Sequence, residues 1–108
     1  PGHIANVPLP AGTKGSEFRK AIEAQWLPEI DRFAPQLIFV SAGFDAHAGD
    51  PLAQLLLTVD DYTWITQRIL ELAEKHAAGR IVSSLEGGYA LDALAASACA
   101  HVQALARL

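Results

Sequence analysis

The chain has 108 residues, 51% hydrophobic and 19% charged, a net charge of −4 and no run of Lys and Arg; this balance suits one soluble globular unit and argues against nucleic-acid and anionic-membrane partners. A single cysteine, Cys99, excludes an internal disulfide and a cysteine-based zinc cluster, fits a reducing, cytoplasmic setting, and reads as a small core residue. No stretch reaches the roughly 18 apolar residues of a membrane span, and Pro1-Gly2 in place of an initiating methionine points to a trimmed product.

Residues 4–9 (IANVPL) are a short β-prone run that Pro8 and Pro10 confine to an edge or strand end. From Ser16, a good N-cap residue, Phe18, Ile22, Trp26, Ile30 and Phe33 recur every three or four residues, which puts them on one helix face. Pro28 removes a backbone donor inside that pattern, so the helix is expected to kink or restart there, and Pro35 closes it. Residues 36–43 (QLIFVSAG) are a continuous apolar run, the pattern of a strand buried on both faces of a parallel sheet. Thr58-Val-Asp-Asp61 reads as a capping box, with Tyr62, Ile65, Ile69, Leu72 and His76 at helical spacing and Gly79 as the stop. Residues 80–85 (RIVSSL) predict the next strand, and Leu91, Leu94, Ala98, Val102 and Leu105 the stripe of a last helix.

The order β-α-β-α-β-α predicts an α/β fold with right-handed crossovers, and residues 1–108 read as one unit. Three strands make a thin sheet with a bare edge, so further sheet is expected from elsewhere. Ligands of open parallel sheets bind beyond the carboxyl ends of the strands, which directs attention to residues 42–51 (AGFDAHAGDP) and 86–89 (EGGY). If the two strands pair, these loops face a common space. Asp45 offers a carboxylate, a hard oxygen donor, or a loop cap. Tyr89 offers a hydroxyl donor or an ordinary half-buried aromatic. Gly87 and Gly88 permit positive φ and close passage of a slender chain, or simply a turn. His47 reads chiefly as an exposed loop residue, Asp50 as a turn-shaping one, and His3, His76 and His101 as surface or core filler.

Strand-SAGFDAHAGDPL, a helix, then strand-SSLEGGYALDAL resembles the C-terminal third of histone deacetylases and bacterial acetylpolyamine amidohydrolases, nearer the class II and bacterial branch, from about Asn6 to Leu108. The resemblance implies the arginase/deacetylase-type parallel sheet with flanking helices and hydrolysis of acetyl-lysine or acetyl-amine amides at zinc. It implies Asp45 as a metal ligand, Tyr89 as the catalytic donor to the oxyanion, and Gly87 and Gly88 beside the substrate channel. His47 has no ligand role in the family pattern. A catalytic zinc takes three protein ligands, whereas one is matched; the family's adjacent histidines have no counterpart in these residues. The expectation is a C-terminal segment of a deacetylase domain, inactive alone and completed by the remainder of that domain, or else a non-catalytic scaffold that kept the fold. A nucleotide-binding domain ranks below both, since neither a P-loop nor a Gly-x-Gly-x-x-Gly turn is present.

Overall fold

The computed structural model describes residues 3–107; Pro1, Gly2 and Leu108, the ends of the expected 1–108 unit, lie outside the described residues. The first helical arm is made of α1 (Gly15–Ala21), a π-helical stretch (Ile22–Trp26) and α2 (Leu27–Phe33). The kink expected at Pro28 takes the form of that π stretch. Leu27 N–H reaches back to the Ile22 carbonyl, and α2 restarts with proline at its first turn, where a missing N–H costs nothing. The arm's N-cap is Lys14 rather than Ser16. A parallel bridge from Lys14 to Leu56 sets the chain's direction there, so a tertiary contact overrides the local capping preference.

Strand β1 (Ile38–Ala42) pairs in parallel with β2 (Ile81–Leu85), in the register Ile38↔Ile81 to Ala42↔Leu85. Helix α3 (Val59–His76) connects them and α4 (Leu91–Leu105) follows. Residues 4–9 carry no strand, so among the described residues the sheet has two strands and the leading β of the expected order is absent. Pro8 and Pro10 supply no ladder donors, and no described strand lies alongside to pair with that run.

The helices cover one sheet face. Val40 packs against the cluster of Ala42, Phe44, Leu57 and Tyr62, to which Leu94 and Ala98 of α4 also pack. On the other face the paired residues Phe39 and Val82 are 71% and 49% exposed. β1, expected to be buried on both sides, is therefore covered on one, because no described element lies over the second.

Helix α3 follows its predicted stripe, with Tyr62 and Ile69 buried. Its start is secured by Asp61, whose Oδ2 accepts from Thr58 N at 2.9 Å and Thr58 Oγ1 at 3.2 Å while Oδ1 accepts from Arg19 Nε at 2.9 Å. Helix α4 is rotated from its predicted stripe. Ser97 and His101 are buried, whereas Leu91, Val102 and Cys99 are exposed, so Cys99 is not a core residue. The docking face runs through Leu94, Ser97, Ala98 and His101, a helical spacing concealed by its polar members.

His101 joins three elements. Thr66 Oγ1 gives its one proton to the Tyr62 carbonyl at 2.6 Å, so His101 Nδ1–H donates to Thr66 at 2.8 Å, and Ser83 Oγ of β2 donates to Nε2 at 2.8 Å. Burial holds its pKa below the ordinary value of 6.5.

Asp61→Ala removes the Asp61 half of the capping box and the Arg19 pair together, and is expected to cost about 2 kcal/mol by denaturant unfolding of the full-length protein. Because the folded state resists protonating His101, the unfolded state binds the extra proton as pH falls below 6.5. The contribution of His101 to stability is therefore full above that pH and is lost below it. In His101→Gln, the drop in unfolding midpoint between pH 7.5 and 5.5 is expected to shrink.

Candidate active site

Parallel pairing delivers the carboxyl ends of β1 and β2 side by side, and the backbone continues the pairing into both loops. Glu86 N–H donates to the Ala42 carbonyl at 2.9 Å and Phe44 N–H to the Gly87 carbonyl at 2.8 Å. Phe44 is 4% exposed and inserts edge-on against Tyr62 and His101, with ring centroids 5.0 and 5.7 Å away. With Phe44 anchored inward, Asp45 stays half-buried at the loop surface. The rest of the loop is braced from behind: Leu57 N–H donates to Ala46 at 3.1 Å, and Ala48 N–H to Leu57 at 2.8 Å.

Asp45 and Tyr89 line one shallow depression of about 290 Å³, together with Ser41, Gly43, Glu86 and Gly87. The spacing of the two loops, inferred from strand order, is thus observed. Asp50 Oδ2 accepts from Tyr89 N at 2.8 Å, which fixes the main chain of a residue that is 59% exposed rather than half-buried. Gly88 has φ +140°, and a β-carbon there would lie 2.8 Å from Leu94 Cδ1. Gly87 does not take positive φ; its missing side chain instead leaves room for Asp45, since a β-carbon would lie 3.2 Å from the carboxylate. Gly87 borders the depression; Gly88 shapes the turn behind it.

Glu86 accepts from Ser41 Oγ at 2.6 Å, tying the two strand ends at the rim. His47 is half-buried, not exposed, and its Nδ1 accepts the Gly49 N–H at 2.9 Å, so it closes the loop's own turn. Burial, with the Asp45 charge next in effect, pushes the Tyr62 phenol above its usual range, so it stays protonated beneath the loop.

The charges of the site separate into bonded and free. Asp50 is bonded, and its carboxyl lies below the usual range because of backbone N–H donors, Leu52 first. Asp45 accepts no hydrogen bond from any described residue. As a donor set for zinc the loop offers one carboxylate oxygen of the right kind, and among the described residues no group of three His, Cys, Asp or Glu converges. No described helix is long and apolar enough to cross a membrane.

Sequence reasoning found both loops but missed the reach of Asp50 into the second. One signal was available: α4 begins after Ala90, which has no side chain to cap a helix, so its first N–H groups need an acceptor from elsewhere.

The family model for the histone deacetylase domain matches residues 1–105. Type-2 histone deacetylase 1 of Dictyostelium discoideum is 40% identical over 96% of this chain, which spans 7% of that protein. The histone deacetylase-like amidohydrolase of Pseudomonas aeruginosa is 44% identical over 82% of the chain, which spans 23% of it. The solved structure of the histone deacetylase Clr3 superimposes with a TM-score of 0.89 at 38% identity, covering 99% of this chain and 18% of that one. Sequence and backbone therefore agree, and the chain belongs to the histone deacetylase family.

Proposed function

We propose that residues 1–108 are the C-terminal segment of a zinc-dependent deacetylase domain, that Asp45 is one of its metal ligands and that Tyr89 is its oxyanion donor. The observation that carries the reading is the shared depression, where a half-buried carboxylate that no described residue hydrogen-bonds stands with an exposed phenol. An aspartate serving only to cap a loop would accept backbone donors, as Asp50 does. A metal ligand must keep its oxygens available. When bound, zinc there supplies Lewis acidity to the acetyl amide carbonyl.

Tyr89 donates its hydroxyl proton in a hydrogen bond to the carbonyl oxygen as negative charge develops on it. Gly87, lacking a side chain, lets the acyl-lysine or acyl-amine chain pass the carboxylate, and Gly88 holds the turn that presents Tyr89. The two further ligands and the histidine that takes a proton from water come from the remainder of the domain. The isolated chain is accordingly inactive. Two observations support an incomplete domain: the chain spans only 18% of the solved Clr3 chain, and Phe39 and Val82 leave an apolar sheet face bare. That face is where the remainder of the domain packs. An exposed free Cys99 is compatible with a reducing, cytoplasmic setting.

In the full-length protein, Tyr89→Phe is expected to lower turnover of an acetyl-lysine peptide about 10²-fold, the scale of one lost oxyanion donor; wild-type turnover would remove Tyr89 from the chemistry. Gly88→Ala, which forces a β-carbon onto Leu94 at a φ that favours glycine, is expected to lower kcat about tenfold or more at unchanged zinc content.

A further inference from the structure

We infer that Asp50 is a positioning residue for Tyr89, acting through a clamp that spans the two loops; the inference rests on the proposed role of Tyr89 as oxyanion donor. Asp50 is 3% exposed and accepts three backbone N–H groups. Oδ1 takes Leu52 N at 3.0 Å, which closes the turn of its own loop. Oδ2 takes Tyr89 N at 2.8 Å and Ala90 N at 3.2 Å, 39 and 40 residues further along the chain.

Each part of this arrangement has a physical consequence for Tyr89. Tyr89 is 59% exposed, so little packing restrains it. The flanking Gly88 gives its backbone wide freedom, and Ala90 offers α4 no cap of its own. What locates the phenol is therefore its main chain, and the Asp50 carboxylate holds that main chain directly. The same carboxylate accepts from Ala90, the residue at which α4 begins, and so stands near the positive end of the helix dipole. Because its other oxygen is tied into the loop that carries Asp45, the proposed ligand and the proposed oxyanion donor are held in one frame. A displacement of 1 Å in such a frame costs on the order of 10²-fold in rate.

The test is a mutant cycle in the full-length protein with an acetyl-lysine peptide, reading kcat and KM separately alongside zinc content. Asp50→Ala is expected to lower kcat about 10- to 100-fold with KM nearly unchanged. Asp50→Asn, which keeps one acceptor oxygen, is expected to fall between Asp50→Ala and wild type, and it substitutes in the cycle if Asp50→Ala does not fold. In a Tyr89→Phe background the Asp50 change is expected to cost less than about twofold, because the group it positions is gone. Wild-type kcat in Asp50→Ala, or losses that multiply in the double variant, would overturn the clamp while leaving the Tyr89 reading intact. Wild-type turnover in Tyr89→Phe alone would remove the reading and the clamp together.

Discussion

Strands that pair in parallel deliver both carboxyl ends to the same edge of a sheet, and from that requirement the candidate site follows. β1 and β2 are direct neighbours, so the loops after Ala42 and Leu85 start one strand spacing apart, roughly 5 Å. The chain extends this proximity with two further backbone bonds, from Glu86 and Phe44, before the loops diverge. Burial then sorts the side chains: Phe44 enters the core and its neighbour Asp45 remains at the rim. Had a third strand stood between β1 and β2, the carboxylate of Asp50 would not reach the amides of Tyr89 and Ala90.

What the sequence made legible is whatever depends on local pattern. The apolar runs around Val40 and Val82 marked both strands, the capping box at Thr58 marked α3, and Pro28 marked the break in the first helical arm. The two loops were legible because glycines and acidic residues interrupt apolar strands at their carboxyl ends. The remainder was hidden because it depends on partners distant in the chain. A strand at residues 4–9 fails for want of a described neighbour, since strand propensity expresses itself only against a paired surface. The buried face of α4 departs from its hydrophobic stripe because burial there does not follow hydrophobicity. There, hydrogen bonding with Thr66 and Ser83 makes a histidine the better core residue, and Val102 is left outside.

Asp50 illustrates the same limit at the site. An aspartate before a proline reads as a turn former, and its bond to Leu52 is that role. Its second oxygen does work that no spacing rule describes, because the carboxylate and the Tyr89 and Ala90 amides it accepts lie in different loops. Legibility returns only when the deficit is read from the other side, at the uncapped start of α4.

The treatment of carboxylates across the fold gives the proposed chemistry its firmest footing. Asp31 accepts from Lys75 and His76, Asp50 from three amides, and Asp61 from Thr58 and Arg19. Each has a structural task and is bonded accordingly. Asp45, flanked by Gly43 and Gly87, meets no donor among the described residues although it is half-buried. Partial burial of a charge without a compensating partner opposes folding, and a loop this firmly braced had the backbone amides available to satisfy it. Its neighbours spend those amides elsewhere: Gly49 N–H on His47, Leu52 N–H on Asp50, Phe44 N–H on Gly87. A carboxylate kept clear in this way suits a cation supplied at the depression, which is the part that the proposed deacetylase site requires of it.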